Sequence, residues 1–435
     1  MKQSKYALLR LTPLIHFTYF QFMRFTFVLL LLVTIHGLLQ ARILHTGHGQ
    51  PYGDISTAAK HVAPGDTILV HRGNYQGNQS LGNLQGTADK WIYLLAERPG
   101  AVFIESGITA FSGTDIAWLH IEGFVFKAQT GNGVNIDDGG TYDSPSHHIV
   151  IKKCVFSNMA ATGNNDLLKL SGVDDLSILA CSFVNGSPGG SGIDMVGCHK
   201  SSISQCRFEN MGSNAIQMKG GSSNILVEAC VFKNAGSRAI NLGGSTGQAF
   251  FRPADASWEA SDLKVYSNIF MGSEVPVAFV GCTRSEVVNN TIYKPGKWVI
   301  RILQENRDTI HFGRCSYNTF RNNIICIDAQ VRTPCSIGPG TAPETFTFSN
   351  NAWFHTANSA WPGPQLPGLD KDGLIGKDPL FLGAPSADFR IGATSPAAGA
   401  GMPLQQPGKD HTGKQFLQRR SIGAHEVIIM QEKTD

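Results

Sequence analysis

The sequence predicts an all-β, single-stranded, right-handed parallel β-helix with an N-terminal capping helix. Three observations carry that reading. One register position recurs seven times with Cys or Asn, a strand with period-2 apolar alternation precedes each copy, and the intervening segments are rich in Gly, Asn and Ser.

The chain opens on a segment read as a signal peptide or N-terminal anchor, residues 1–41. It lacks Asp and Glu and carries Lys2, Lys5, Arg10 and Arg24 ahead of an almost wholly apolar run from Phe25 to Leu39. A basic flank, a short apolar core and the small Ala41 describe an export signal, with Met23 as an alternative start. The expected location is secreted or periplasmic in a bacterium, or the cell surface.

The coil is assigned to residues 42–375. Its repeat reads IKKCVF (151–156), ILACSF (178–183), ISQCRF (203–208), VEACVF (227–232), VYSNIF (265–270), VVNNTI (287–292) and FRNNII (320–325). The fourth positions are Cys154, Cys181, Cys206, Cys230, Asn268, Asn290 and Asn323, so each turn returns a similar side chain to one column. Stacked Cys packs as a small hydrophobe, and stacked Asn can chain its amides from rung to rung. The preceding strands are VNID (134–137), LKLS (168–171), IDMV (193–196), IQMK (216–219), INLG (240–243), VAFV (277–280) and IRIL (300–303). Their first and third residues are apolar throughout, which puts one face inward. Such short strands, recurring every 22 to 38 residues along the ladder, stack into a parallel solenoid. A leucine-rich repeat would need its own Leu/Asn signature and helices. The ladder position implies free thiols at Cys154, Cys181, Cys206 and Cys230. Cys315, Cys326 and Cys335 lie in a loopier region where a Cys315–Cys335 bridge is open. Residues 376–435 are read as a closing segment packed on the last turns.

Composition narrows the function. Of 435 residues 16% are charged, the formal net charge is +3, and 48 are Gly. That charge content is too low for a disordered or coiled-coil chain, and the near-neutral balance gives no bulk support for nucleic-acid binding. No His/Cys spacing suggests zinc and no phosphate loop is present.

Three further stretches resemble a known family. ISTAAKHVAPGDTILVHRGNY (55–75) is similar to the first turn of secreted β-helix polysaccharide lyases, with a capping helix followed by PGDTI. GTADKWIYLLAERPGAVFIES (86–106) and IAWLHIEGFVF (116–126) resemble the alginate lyase and chondroitinase B group. DPLFLGAPSADFRIGATSPAAGAG (378–401) with SIGAHE (421–426) resembles the closing segment of exported bacterial β-helix proteins. The resemblance implies a pectin-lyase-like solenoid, export, and a polysaccharide substrate. The Asn-Gly-Gly-Glu and Arg-His-Gly-Asn stretches of alginate lyases in that group are not in this sequence.

Candidate site residues are therefore sought in the outward columns. The first holds Asn135, Lys169, Asp194, Gln217, Asn241, Ala278 and Arg301; the second holds Asp137, Ser171, Val196, Lys219 and Gly243. Outward residues of any solvated sheet are polar, but this stripe is also suited to an acidic sugar chain. Insertions after the strands, DGGTYDSPSHH (138–148), STGQAFFRPADASWEAS (245–261) and QENRDTIHFGRCS (304–316), add loops on one edge, where sites are commonly built. The middle loop brings Phe250, Phe251, Arg252, Asp255, Trp258 and Glu259.

For cleavage of a uronate chain by β-elimination, Lys169 is the leading base, if burial or neighbouring cations lower its pKa, and Lys219 the second. Arg301 and Arg252 are the carboxylate neutralisers, and Asp194 orients a lysine or ligates Ca²⁺, which is optional without a carboxylate cluster. Asn135, Gln217, Asn241, Arg252, Trp258 and Glu259 are expected to touch substrate. The alternatives are a glycoside hydrolase, using Asp194 with Asp137, Asp255 or Glu259, and a non-catalytic polysaccharide-binding surface protein. His147, His148 and His199 read as turn histidines, and His311 and His355 carry no sharper signal. The protein is read as a monomer whose partner is an acidic polysaccharide or oligosaccharide, with no nucleic acid and no membrane contact beyond the N-terminal anchor.

Overall fold

The computed structural model describes residues 41–427, apart from 83, 142, 309 and 406–407; the expected signal segment lies almost wholly outside the described residues. From Ile43 to Ile375 the chain winds as a coil of three parallel sheets. Sheet I has ten strands, from Gln79–Ser80 to Cys335–Ile337. Sheet II has a row of thirteen, from Ile43–Thr46 to Asp370–Lys371, with two short strands beside it. Sheet III has twelve, from Gly73–Gln76 to Leu374–Ile375.

Alternation fixes what each strand buries. In Leu168–Ser171 the two leucines point into the coil while Lys169 and Ser171 face out, and the strand pairs in register with Val134–Asp137 and with Ile193–Val196. The predicted columns are thus the outward columns of sheet I. Where sheet I turns towards sheet II, Gly172, Gly197 and Gly220 sit at φ +64°, +60° and +62°, a region that penalises any Cβ. At the corner between sheets III and I, four successive turns place an Asn in the left-handed region, Asn158, Asn185, Asn210 and Asn234. Asn185 donates to Asn158 (2.8 Å) and Asn210 to Asn185 (3.0 Å), an outer amide ladder.

The inner ladder stands at the corner between sheets II and III. Cys154, Cys181, Cys206 and Cys230 are buried, and the Cys230 backbone N–H donates to Asn268 Oδ1 at 2.8 Å. Each Asn amide then donates to the next, Asn268 to Asn290 and Asn290 to Asn323, both at 3.0 Å. The ladder runs past the predicted end to Asn351 (3.0 Å) and stops on the Asp370 carboxylate. Two positions on, Phe156, Phe183, Phe208, Phe232 and Phe270 stack with centroids 4.7–5.0 Å apart and planes within 8°. Each ring removes apolar area worth roughly 1.5–3 kcal/mol. All nine cysteines are free and buried, so the Cys315–Cys335 bridge is not formed. Cys335 lies on a sheet I strand beside Ile300, whereas Cys315 sits one turn from Cys282 at the edge of sheet II.

A short helix, Ile55–Ala59, stands at the N-terminal end of the coil. Asp54 caps it by accepting from Thr57 N–H (2.7 Å), and Ile55 and Ala58 are buried against the first strands. Beyond Ile375 the chain leaves the coil. It forms an antiparallel pair, Phe381–Gly383 with Asp388–Ile391, and packs back along the later turns. There Asn289 donates to the carbonyls of Ser421 and Gly423, and Asn322 to that of Met402.

Candidate functional site

A cleft of ≈520 Å³ opens on the outward face of sheet I. Lys169, Ser171, Val196 and Lys219 form its floor, Asp138, Gly140 and Gly172 one side, and residues 245–252 its roof. A larger groove of ≈940 Å³ lies between sheet III and the closing segment. Of its cations, Arg207 and Lys233 share Glu209, Lys294 lies over the Tyr293 ring, and its lining holds no carboxylate among the described residues. Acid–base groups converge in the smaller cleft.

At its floor Lys169 and Asp194 are cross-strand neighbours, and the lysine ammonium rests on Asp194 Oδ2. Lys219 stands 3.2 Å from Asp194 Oδ1, within ion-pair reach but not aligned for a hydrogen bond. Asp194 is 3% exposed, so two ammonium groups compensate one desolvated carboxylate. Behind them Asp166, buried, lies 3.9 Å from Lys169 and accepts from Ser191 N–H (2.7 Å). Burial and the adjacent Asp194 charge push Asp166 up to about 6.

These carboxylates change the expected role of Lys169. Burial alone would lower its pKa, but Asp194 and Asp166 outweigh it and hold the ammonium above the ordinary lysine range. Lys169 is therefore a fixed cation in this arrangement rather than a ready base.

Asp138, which the sequence reading passed over in favour of Asp137, lines the cleft. It is 8% exposed, and burial raises its pKa although the Gly140 N–H donates to it (2.9 Å). Asp137 is instead occupied by Thr114 Oγ1, Asn135 Nδ2 and Gly139 N–H at 2.8–3.0 Å. The only advance sign of Asp138 was its place at the first residue of an insertion.

The roof is held from two sides. Arg252 donates twice to Asp174, at 2.7 and 2.9 Å, and once to the Gly197 carbonyl (3.0 Å). That pairing raises its pKa and commits it to anchoring the loop. His199 Nε2 donates to the Arg252 carbonyl (3.1 Å), leaving Nδ1 to accept from Ser223 (2.9 Å). Glu259, 1% exposed, accepts from Gly220 N–H, Thr246 N–H, Thr246 Oγ1 and Asn306 Nδ2 at 2.7–3.1 Å. It is an internal tie between two loops, not a substrate contact. The loop backbone lies so close that a Cβ on Gly221 would meet Arg252 O at 2.5 Å.

The other predicted residues divide. Phe250 is 69% exposed at the mouth of the cleft, whereas Phe251 is buried against Phe312. Asp255 is exposed on the loop and Trp258, half-buried, lies under Arg284. Gln217 accepts from Lys219 at 3.4 Å, and Asn241 is buried beside Arg238. Arg301 shares the outward column but lies five strand steps from Lys169, about 24 Å at the usual strand spacing. His147 and His148 contact each other at 2.8 Å beside Trp118. His311 packs on Phe312, and His355 accepts from Ala357 N–H.

A divalent cation finds no fitting donor set here. Both Asp194 oxygens face ammonium groups, and no cluster of three or more His, Cys, Asp or Glu among the described residues is placed to hold a metal.

Comparison with known proteins agrees with this architecture. The family described as the right handed beta helix region matches residues 106–292. The structure of pectate lyase Pel9A is similar, with 14% identity, a TM-score of 0.54, and 90% of this chain and 98% of that one covered. XylC in complex with xylose gives 11% identity, a TM-score of 0.53, and coverage of 89% and 98%. An alginate lyase from Paenibacillus sp. str. FPU-7 shows 15% identity, a TM-score of 0.42, and coverage of 75% and 97%. No curated protein matches the sequence. The likeness is one of fold: the chain is a right-handed parallel β-helix of the pectate lyase-like kind.

Proposed function

We propose that this chain is an exported enzyme that binds a uronate-containing polysaccharide in the cleft over sheet I and cleaves it by β-elimination. The observation that carries the reading is the pair Lys169 and Lys219 on one buried Asp194, in the same cleft as the desolvated carboxyl of Asp138. Elimination needs positive charge at the sugar carboxylate, a base for the C5 proton and an acid for the leaving O4. Lys169, kept charged by Asp194, receives the carboxylate. Asp138, more basic than a solvated aspartate, takes the proton from C5; the C4–O4 bond breaks as C4=C5 forms, and the Lys219 ammonium protonates O4. Phe250 at the mouth offers a ring face to a neighbouring sugar.

A second reading, hydrolysis, is favoured by Asp166, whose carboxyl is pushed up to about 6 and can donate a proton near neutrality. The test is incubation of the protein with alginate, pectate, chondroitin, dermatan and glucuronan. Ultraviolet absorbance of the unsaturated uronate and new reducing ends are followed in parallel. Absorbance that is lost in Lys219→Ala supports the lyase. Reducing ends without absorbance support the hydrolase, and silence in both favours a binding protein or a substrate outside the panel.

Among the described residues no helix is long and apolar enough to cross a membrane. Export rests on the sequence of residues 1–41.

A further inference from the structure

The outward column of sheet I carries a second cationic feature beyond the cleft. The Arg301 guanidinium lies over the Trp298 ring, 4.7 Å from its centroid, and Lys297 Nζ is 4.2 Å from the same ring. Arg301 Nε is buried and has no hydrogen-bond partner, and no ion pair reaches Arg301 among the described residues. Two carboxylates attract Arg301 from nearby, but Glu305 is taken by Arg238 at 2.7 Å and Glu274 makes no ion pair with it among the described residues, while Arg238 itself repels it. A half-buried guanidinium with a stacked face, an unmet N–H, no direct ion pair and a second cation beside it is built to take an anion.

We propose that Arg301, seated on Trp298, is a distal subsite that takes a carboxylate of the same acidic polysaccharide several sugar residues away from the cleft. This rests on the cleft reading above for the class of ligand. The register supplies the span: Gln217, Asn241, Ala278 and Arg301 are consecutive cross-strand partners, so Arg301 stands about 14 Å from the Gln217 rung at the cleft. Asn241 and Ala278 are covered by protein between them, so sugars in the gap make no contact with those rungs and the gain comes when the chain is long enough to pass over them and reach Arg301.

Calorimetric titration of the full chain with oligogalacturonates and oligomannuronates, dimer to octamer, tests it. Neutral xylo-oligomers serve as the control, and Asp138→Asn is the background for any oligomer that is cleaved. Wild type should gain about tenfold in affinity between short and long uronate oligomers, the worth of one charge-assisted contact. Arg301→Gln should lose that gain while binding the dimer as wild type does, and Arg301→Lys should keep part of it. Lys219→Ala should weaken every length and leave the gain in place. A gain without any turnover would sink the cleavage reading alone and leave the subsite standing. The proposal is overturned if Arg301→Gln follows wild type at all lengths, if neutral oligomers show the same gain, or if no uronate oligomer binds.

Discussion

Lys169 and Asp194 face each other across adjacent strands of sheet I, ammonium on carboxylate, and Lys219 reaches the carboxylate's other oxygen at 3.2 Å. One buried negative charge thus holds two cations at fixed spacing on a rigid sheet. The arrangement makes the two lysines separable by mutation.

Lys169→Met removes the closer cation and leaves Asp194 with Lys219 alone. Breaking a buried pair costs about 3–5 kcal/mol, and the remaining lysine keeps the loss at the low end. Thermal unfolding should shift down accordingly, with turnover abolished. Lys219→Met should abolish turnover at a smaller stability cost, because its contact is longer and unaligned. Equal melting losses in the two variants would show that the carboxylate does not discriminate between them.

Asp138 sets the expected pH dependence. Its raised pKa means that the carboxylate form accumulates only above the ordinary aspartate range, so kcat/KM should rise with pH through a value above that range. Asp138→Asn should lower turnover by roughly 10²–10⁴ and remove that limb. A limb unchanged in Asp138→Asn would assign the titration to Asp166 instead.

Much of this was legible in the sequence. The strands of sheet I and the ladder from Cys154 to Asn323 follow from period-2 burial and one repeating register, both local properties. The same repeat carries the Phe column at its sixth position, Phe156 to Phe270, two residues after the Cys/Asn position. Lys169 and Asp194 were visible as neighbours in a column. The direction of the Lys169 shift was not, since it depends on Asp166 and Asp194 together outweighing burial. Arg252 and Glu259 were placed near substrate by chemistry alone. Their partners Asp174 and Gly220 lie 78 and 39 residues away, and no periodic pattern links them.

Roof anchoring predicts a particular pattern for these two residues. Glu259→Ala strands four donors and should cost several kcal/mol, by the ~1–3 kcal/mol scale for each buried unsatisfied group. KM should rise as the loop loosens. Arg252→Lys cannot reproduce the two-pronged contact with Asp174 and should raise KM in the same way. If Arg252→Lys raised KM for uronate oligomers but left neutral oligomers unaffected, direct carboxylate binding would replace anchoring.

The inner ladder makes a stability prediction. Asn323 is fully buried, donates to Val287 O and Asn351 Oδ1, and accepts from the Asn290 backbone and side chain. Asn323→Leu should therefore destabilise by about 2–4 kcal/mol, from donors and acceptors left unmet on both neighbouring turns. Chemical denaturation measures it; a loss under about 1 kcal/mol would mean that the buried amide chain contributes no more than a solvent-exposed hydrogen bond.

At the closing segment, His425 is buried and held down to about 4 by burial and by the neighbouring His411. A histidine depressed in the fold binds fewer protons there than in the unfolded chain. Stability is therefore present above the ordinary value near 6.5 and is lost as pH falls towards 4. Hydrogen exchange of residues 408–427 should accelerate over that window in wild type and not in His425→Phe. Uniform acceleration across the coil would place the acid sensitivity elsewhere.

The most direct test of the cleft chemistry is cleavage of the best substrate in heavy-oxygen water, with the products weighed by mass spectrometry. β-Elimination predicts an unsaturated uronate at the new non-reducing end and no heavy oxygen fixed by the cleavage. One heavy oxygen in the product pair, with no double bond, would contradict the account and identify hydrolysis by the carboxyls around Asp194.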